Sequence, residues 1–171
     1  NAKGSLGKRI NDYLLARDID GQLYFTRGKN LTRYDPISKK EFIIPNAEEF
    51  TTHCITLIHD PIWIGTNLGA GQIIGDSIQW VYKNKFPNDH YGIKSICKDG
   101  QGNLWLGSYF QLYRFSPSAG QTDSFPLLQN MDIRDIQLIR NKIFIGTYGN
   151  GYFIYHDDQL IAMPKGRSLE L

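Results

Sequence analysis

Cysteine is scarce in this chain. Only Cys54 and Cys97 are present among 171 residues, which excludes a fold held together by many disulfides. One disulfide between the two residues and a pair of reduced, buried thiols both fit the sequence, and the thiols are the simpler interpretation. The pair does not identify the compartment.

Long hydrophobic runs and clusters of one charge are also missing. The longest apolar stretches cover only a few residues, such as 42–45, far fewer than the roughly 20 residues of a membrane-spanning helix. Nineteen Lys and Arg against seventeen Asp and Glu leave a formal charge of +2 without any basic run. We therefore expect no nucleic-acid partner and no direct binding to anionic lipid.

Repetition is the main positive feature of the sequence. Four short segments place an aromatic residue between aliphatic or aromatic neighbours, and three of them continue with Gly-Thr or Gly-Ser; the central residues are Tyr24, Trp63, Trp105 and Phe144. Successive aromatics lie 39, 42 and 39 residues apart, and a period of about 40 is typical of propeller blades. Because one such unit cannot bury its own apolar surface, neighbouring units must stack. The sequence predicts a single repeat domain over 1–171.

The third repeat shows the strands most clearly. Alternating or apolar segments at 93–97, 104–107, 112–115 and 122–125 are separated by turn residues, first of all Asp-Gly-Gln-Gly-Asn at 99–103. Four antiparallel strands in about 40 residues make one propeller blade. We therefore predict an all-β fold of four four-stranded antiparallel β-propeller blades, either a partial propeller or one completed by association. The predicted blades cover approximately 12–50, 52–90, 92–131 and 132–165, and Asn1-Ala2 is interpreted as the remnant of an expression tag.

The repeated positions are expected to build the scaffold and to catalyse nothing. The central aromatics should fill the wedge between blades. Gly65, Gly107 and Gly146 should lie where the next sheet approaches closely. The hydroxyls that follow these glycines should bond to the backbone of the next turn; they belong to Thr66, Ser108 and Thr147.

The motif Asp-x-x-Gly-x-Leu-Trp-Leu-Gly-Ser, followed by Leu-Tyr-Arg-Phe, resembles the two-component regulator propeller repeat. The match is strongest at 99–115, good at 60–74 and 143–155, and degraded at 18–36. The resemblance implies the periplasmic or extracellular sensor region of a bacterial hybrid histidine kinase that responds to products of polysaccharide breakdown. It also implies that any link to the membrane lies in other parts of a larger protein.

The number of repeats departs from that family's pattern. Its propellers usually have seven blades, whereas four are visible here, so two sheet faces are left open. We therefore expect self-association.

The turn after each Gly-Thr or Gly-Ser step is the candidate ligand site, because such turns gather on one rim near the central channel. Aromatic rings and amides there suit the stacking and hydrogen bonding of a sugar-like ligand. The alternative is that these are plain exposed turn residues. The candidates are Asn67, Tyr109, Phe110, Gln111, Tyr148 and Asn150.

No cofactor, metal or catalytic residue is predicted. Asp18 and Asp20 hint at calcium, but the further oxygen donors of a calcium loop are missing, so a strand turn is favoured. The four histidines are scattered, without metal-ligand spacing. The leading function is ligand sensing, the alternative is a protein-interaction scaffold, and a propeller lyase or glycosidase ranks third because converging acids or histidines are not evident.

Overall fold

Each of the four repeats folds into a four-stranded antiparallel sheet. The computed structural model describes residues 15–27, 30–45, 49–58, 61–85 and 92–163. In every sheet the strands pair in chain order, as expected of a propeller blade, so the predicted all-β fold is confirmed. Asn1-Ala2 and the predicted blade limits at 12, 90 and 165 lie outside the described residues.

The strands are numbered here in chain order, from the innermost to the outermost strand of each blade. Blade 1 contains β1 (Leu15–Arg17), β2 (Leu23–Arg27), β3 (Asn30–Asp35) and β4 (Lys40–Ile43). Blade 2 contains β5 (Thr52–Leu57), β6 (Ile62–Thr66), β7 (Gly69–Ile74) and β8 (Ser77–Lys83). Blade 3 contains β9 (Ser95–Lys98), β10 (Leu104–Gly107), β11 (Leu112–Ser116) and β12 (Gln121–Ser124). Blade 4 contains β13 (Ile133–Ile139), β14 (Lys142–Thr147), β15 (Tyr152–His156) and β16 (Gln159–Met163).

Among the described residues, three hydrophobic cores hold neighbouring blades together. The core between blades 1 and 2 includes Tyr24, Leu31, Ile44, Phe50, Ile62, Ile64 and Ile73. The core between blades 2 and 3 includes Trp63, Ala70, Ile93, Ile96, Leu104 and Leu106. The core between blades 3 and 4 includes Trp105, Leu112, Leu128, Ile133, Ile136, Ile143, Ile145 and Phe153. The central aromatic of blades 1, 2 and 3 thus packs against the following blade.

The fourth repeat differs from the expectation, because its far face has no neighbour among the described residues. Phe144 is only half-buried, whereas Trp63 and Trp105 are 2% and 1% exposed. A Cβ atom on Gly65 would collide with the backbone of Ile93 in blade 3, whereas one on Gly146 would have no atom closer than 3.8 Å. Phe144 and Gly146 therefore belong to the repeat motif but lack the close contact with a following blade that the equivalent residues of blades 2 and 3 make.

The two cysteines are not joined to each other. The Cys54 thiol donates to the carbonyl of Ile93 across 3.6 Å, and burial raises its pKa to about 12. Burial is also the main reason that the pKa of Cys97 is raised. Both residues are therefore protonated, poorly nucleophilic thiols at neutral pH.

Candidate functional site

In blades 2, 3 and 4 the turn that follows the second strand lies at the edge where the inner strand begins, because the first two strands are antiparallel. Hydroxyls shape these turns. Ser108 Oγ donates to the Gln111 carbonyl at 3.0 Å, and Thr147 Oγ1 donates to the Gly151 carbonyl at 2.7 Å. Thr66 Oγ1 makes the corresponding bond to Gly69 at 3.2 Å.

The same edge is tied across blades by backbone hydrogen bonds. The N–H of Ile93 in blade 3 donates to the Thr66 carbonyl at 3.0 Å, and the N–H of Ile133 in blade 4 donates to the Ser108 carbonyl at 2.8 Å. These bonds fix the position of one blade's inner strand against the preceding blade's turn. The edge is therefore a rigid frame for the side chains that it carries.

Three of the inner strands present a nitrogen-bearing side chain at this edge. His53 lies between the ladder pairs of Thr52 and Cys54, where the register of blade 2 shifts. Arg134 occupies the matching shift in blade 4, between Ile133 and Asp135. In blade 3 the ladder ends at Ser95, and the N–H of the preceding Lys94 donates to the Gly107 carbonyl. The bulges in blades 2 and 4 re-aim the side chains of the extra residues His53 and Arg134.

These residues line one cavity of about 330 Å³. Its walls come from the inner strands of blades 2, 3 and 4 and from the turn after β10. The lining residues are Thr52, His53, Lys94, Tyr109 and Arg134. We call this space the rim cavity.

Aromatic rings and one carboxylate hold the two cations of the rim cavity. Lys94 Nζ lies 2.8 Å from the ring centroid of Tyr109, and Arg134 Cζ lies 5.7 Å from that centroid and 5.3 Å from that of Tyr148. Asp132 Oδ2 accepts from Arg134 Nη2 at 2.6 Å, and Asp132 Oδ1 lies 3.9 Å from Lys94 Nζ. Two positive charges thus face one negative charge.

The predicted site residues divide into two groups. Tyr109 lines the rim cavity. Tyr148 is not among the lining residues, but its ring contacts Arg134, which is. The side chain of Asn67 instead accepts a hydrogen bond from the Thr51 N–H at 2.9 Å, so it supports the turn. Phe110, Gln111 and Asn150 are not among the residues that line the cavity.

Sequence reasoning missed Lys94, Asp132 and Arg134. A signal for the two cations exists, because His53, Lys94 and Arg134 stand 10, 11 and 10 residues before the central aromatic of their repeats. An alignment of the repeats on their central aromatics would have placed these three residues at nearly the same position. The pairing of Asp132 with both cations depends on the bulge geometry and is not visible in the sequence.

Other cavities lie between neighbouring blades, and two of them have tyrosines in their walls. One, of about 380 Å³ between blades 2 and 3, has Tyr82, Tyr113 and Phe115 in its walls. Burial, and then the neighbouring Tyr113, raise the pKa of Tyr82 to about 12. The other, of about 220 Å³ between blades 3 and 4, is lined in part by Arg114 and Tyr155. Neither combines residues from three blades.

Neither a cluster of metal-binding side chains nor a membrane-spanning helix occurs in the part of the chain that the structure describes. Within it no group of three or more His, Cys, Asp or Glu side chains is placed to hold a metal ion. The Asp18 carboxylate accepts from the Gln22 N–H at 2.8 Å and from the Tyr24 hydroxyl at 3.1 Å, as a turn residue does. No helix in the described ranges is long and apolar enough to cross a membrane.

Comparisons with known proteins agree with the repeat motif and the fold. A model of the family described as "Two component regulator propeller" matches residues 86–110. The extracellular domain of a protein described as a one-component system from B. thetaiotaomicron has a TM-score of 0.75 at 21% identity, over 93% of this chain and 24% of that one. No curated protein sequence matches the chain.

Other propellers share the fold as well. The extracellular domain of a hybrid two-component system from B. thetaiotaomicron has a TM-score of 0.70 at 20% identity, over 91% of this chain and 23% of that one. Virginiamycin B lyase from Staphylococcus aureus has a TM-score of 0.68 at 15% identity, over 91% of this chain and 56% of that one. This chain spans about a quarter of the two extracellular domains. At these identities the likeness shows the fold alone, whereas the matched segment shows that residues 86–110 carry a two-component regulator propeller repeat.

Proposed function

We propose that this chain is a ligand-sensing segment in the sensor region of a two-component system, on the periplasmic or extracellular side of a membrane-anchored protein. The repeat at 86–110 supports the class of protein. The fold shared with the extracellular domains of a one-component system and of a hybrid two-component system supports the location. The chain itself would bind a signal and leave the phosphoryl chemistry to other domains.

The rim cavity is the observation that carries the ligand-sensing role. Its volume of about 330 Å³ lies at the lower end of the range for small-molecule sites, roughly 300–1,000 Å³. Tyr109 and Tyr148 offer ring faces, and Lys94 and Arg134 offer N–H donors. Ring faces beside donors suit a sugar, which has apolar faces and a rim of hydroxyls.

Signalling would follow from differential affinity. The rim cavity takes its walls from blades 2, 3 and 4, so a ligand there contacts several blades at once. A ligand that binds one blade arrangement more tightly than another shifts the population toward it. The size of the shift cannot exceed the difference between the two affinities.

The proposal is tested by replacing Tyr109 and Tyr148 with Ala and measuring the binding of a panel of oligosaccharides by calorimetry. Binding should be lost while the melting temperature stays nearly constant, because Tyr148 is 72% exposed and neither ring belongs to a blade core. Tyr82→Ala is the control, since it removes a tyrosine from the cavity between blades 2 and 3 and not from the rim cavity. Unchanged affinity in the double variant would overturn the assignment of this site.

A protein-interaction scaffold is the second candidate. The far face of blade 4 favours it, because Ile154 and Ile161 are cross-strand partners of one another on the same face as Phe144. That face would suit another polypeptide better than a sugar.

A further inference from the structure

We propose that the ligand of the rim cavity is an acidic sugar, whose carboxylate or sulfate group is held between Lys94 and Arg134. This inference rests on the proposed sensing function and adds the charge of the ligand to it. It is carried by the convergence of two cations from different blades on one small cavity.

The charges around the cavity leave a positive excess. Lys94 and Arg134 both line it, and Asp132 is the carboxylate paired with them. One carboxylate balances only one of the two cations. Because low-dielectric protein walls strengthen electrostatic interactions relative to water, an oxyanion is favoured over a neutral group at this place.

Arg134 has donors to spare for such a group. Its Nη2 is bonded to Asp132, yet its side chain is 51% exposed. A guanidinium carries five N–H donors in a planar fork that matches an oxyanion. The bond to Asp132 holds the fork in place at the edge of the cavity and leaves other N–H groups toward solvent.

The side chain of Lys94 is restrained, but its ammonium group keeps N–H donors that are not in use. Its side chain is only 11% exposed, and its ammonium lies over the ring of Tyr109. The distance of 3.9 Å to Asp132 Oδ1 exceeds that of a hydrogen bond, and among the described residues this buried oxygen has no hydrogen-bond partner. Asp132 thus acts as a positioning residue, and the ammonium retains donors for an oxygen supplied from the cavity.

The remaining walls favour a sugar over a bare ion. Thr52 and Tyr109 carry hydroxyl groups on the lining, and Tyr148 adds an exposed ring beside Arg134. A bare anion would use the cations alone. A sugar acid would use the cations, the hydroxyls and the ring face together.

The test compares glucuronate, glucose 6-sulfate, glucose and inorganic sulfate as probes, titrated calorimetrically into the whole chain at low and high salt. We expect the two acidic sugars to bind, glucose to bind at least about tenfold more weakly, and the affinity for the acidic sugars to fall with salt. Whichever of the two binds more tightly identifies the oxyanion.

Arg134→Gln is the informative variant, because it keeps hydrogen-bonding capacity but removes the charge. The affinity for the acidic sugars should fall about tenfold or more, and by a larger factor than the affinity for glucose, which loses one N–H donor but no charge partner. Lys40→Gln, on the exposed outer strand of blade 1, makes the same change in net charge and should have no effect. Lys94→Met repeats the test from the other cation.

The outcomes separate the two proposals. If glucose binds as tightly as glucuronate and Arg134→Gln changes nothing, the site senses neutral sugars and the acidic class is wrong. If inorganic sulfate binds as tightly as the acidic sugars, the sugar part of the inference is wrong. If no probe or oligosaccharide binds at all, the sensing function itself is overturned.

Discussion

At position 107 a single added methyl group would meet the next blade. A Cβ atom on Gly107 would lie 2.6 Å from Ile133 Cγ2 and would overlap the hydroxyl of Ser95. At the equivalent Gly146 the nearest atom would be 3.8 Å away, which is ordinary contact. The same motif residue is therefore constrained in blade 3 and unconstrained in blade 4.

The substitution Gly107→Ala should lower the free energy of unfolding by about 1–3 kcal/mol, because added volume in a tightly packed place forces neighbours to move. Gly146→Ala should change it little, or raise it by about 0.4–1 kcal/mol through the reduced entropy of the unfolded chain. Urea unfolding of both variants measures the difference. Equal destabilisation would mean that the motif glycine serves its own strand and not the neighbouring blade.

Residue spacing alone could predict much of the scaffold and only part of the candidate site. The period of the central aromatics gave the number of blades, since burial of one large ring per repeat is a periodic requirement. Tyr109 and Tyr148 were visible as variable residues after a constant step. Lys94 and Arg134 share a position relative to the central aromatic, but only the packing of blades 3 and 4 shows that they meet at one cavity and share Asp132.

At the scale of strands, the outer strands show little sequence pattern of their own. β4 and β12 are exposed along their whole length, so neither shows an alternation of apolar and polar residues. In the third repeat the inner segment expected at 93–97 runs Ser95–Lys98, and the outer segment expected at 122–125 runs Gln121–Ser124. An outer strand follows from the blade architecture more than from its own residues.

The hairpin between β9 and β10 is organised by one carboxylate. Asp99 accepts hydrogen bonds from the N–H groups of Gln101 and Asn103 at 3.0 and 2.9 Å. It also accepts from the indole N–H of the buried Trp105 at 2.9 Å. The turn is thereby tied to the core between blades 3 and 4.

Asp99→Ala should lower the free energy of unfolding by about 1–3 kcal/mol, because the indole N–H of Trp105 would lose its partner in a buried place. Chemical denaturation followed by circular dichroism measures this. Asp20→Ala, an exposed residue in the corresponding turn of blade 1, is the control and should stay within about 0.5 kcal/mol of the parent chain. A loss in the control as large as that of Asp99→Ala would show that turn charge, and not the indole bond, is responsible.

For the molecule as a whole, the four blades leave two apolar sheet faces without a partner among the described residues. On blade 4 the open face includes Phe144, Ile154 and Ile161, which are neighbours across three strands. On blade 1 the strongly exposed Leu15 and Ile43 lie on the face turned away from blade 2. The covered faces between blades are apolar as well.

We propose that the chain associates with itself through these faces, and light scattering over a range of concentrations tests it. The mass should rise above the 19.6 kDa of one chain as concentration increases, because burying apolar sheet surface is favourable.

Ile161→Lys should shift the chain toward the monomer by placing a charge on the open face of blade 4. Ile74→Lys is a close match, since both isoleucines are 49% exposed, but Ile74 lies at the end of a strand in blade 2. Because the two variants lose the same side chain and gain the same charge, a monomer produced only by Ile161→Lys would locate the association at the blade face. A parent chain that stays monomeric at every concentration would refute the proposal and show that four blades tolerate open ends.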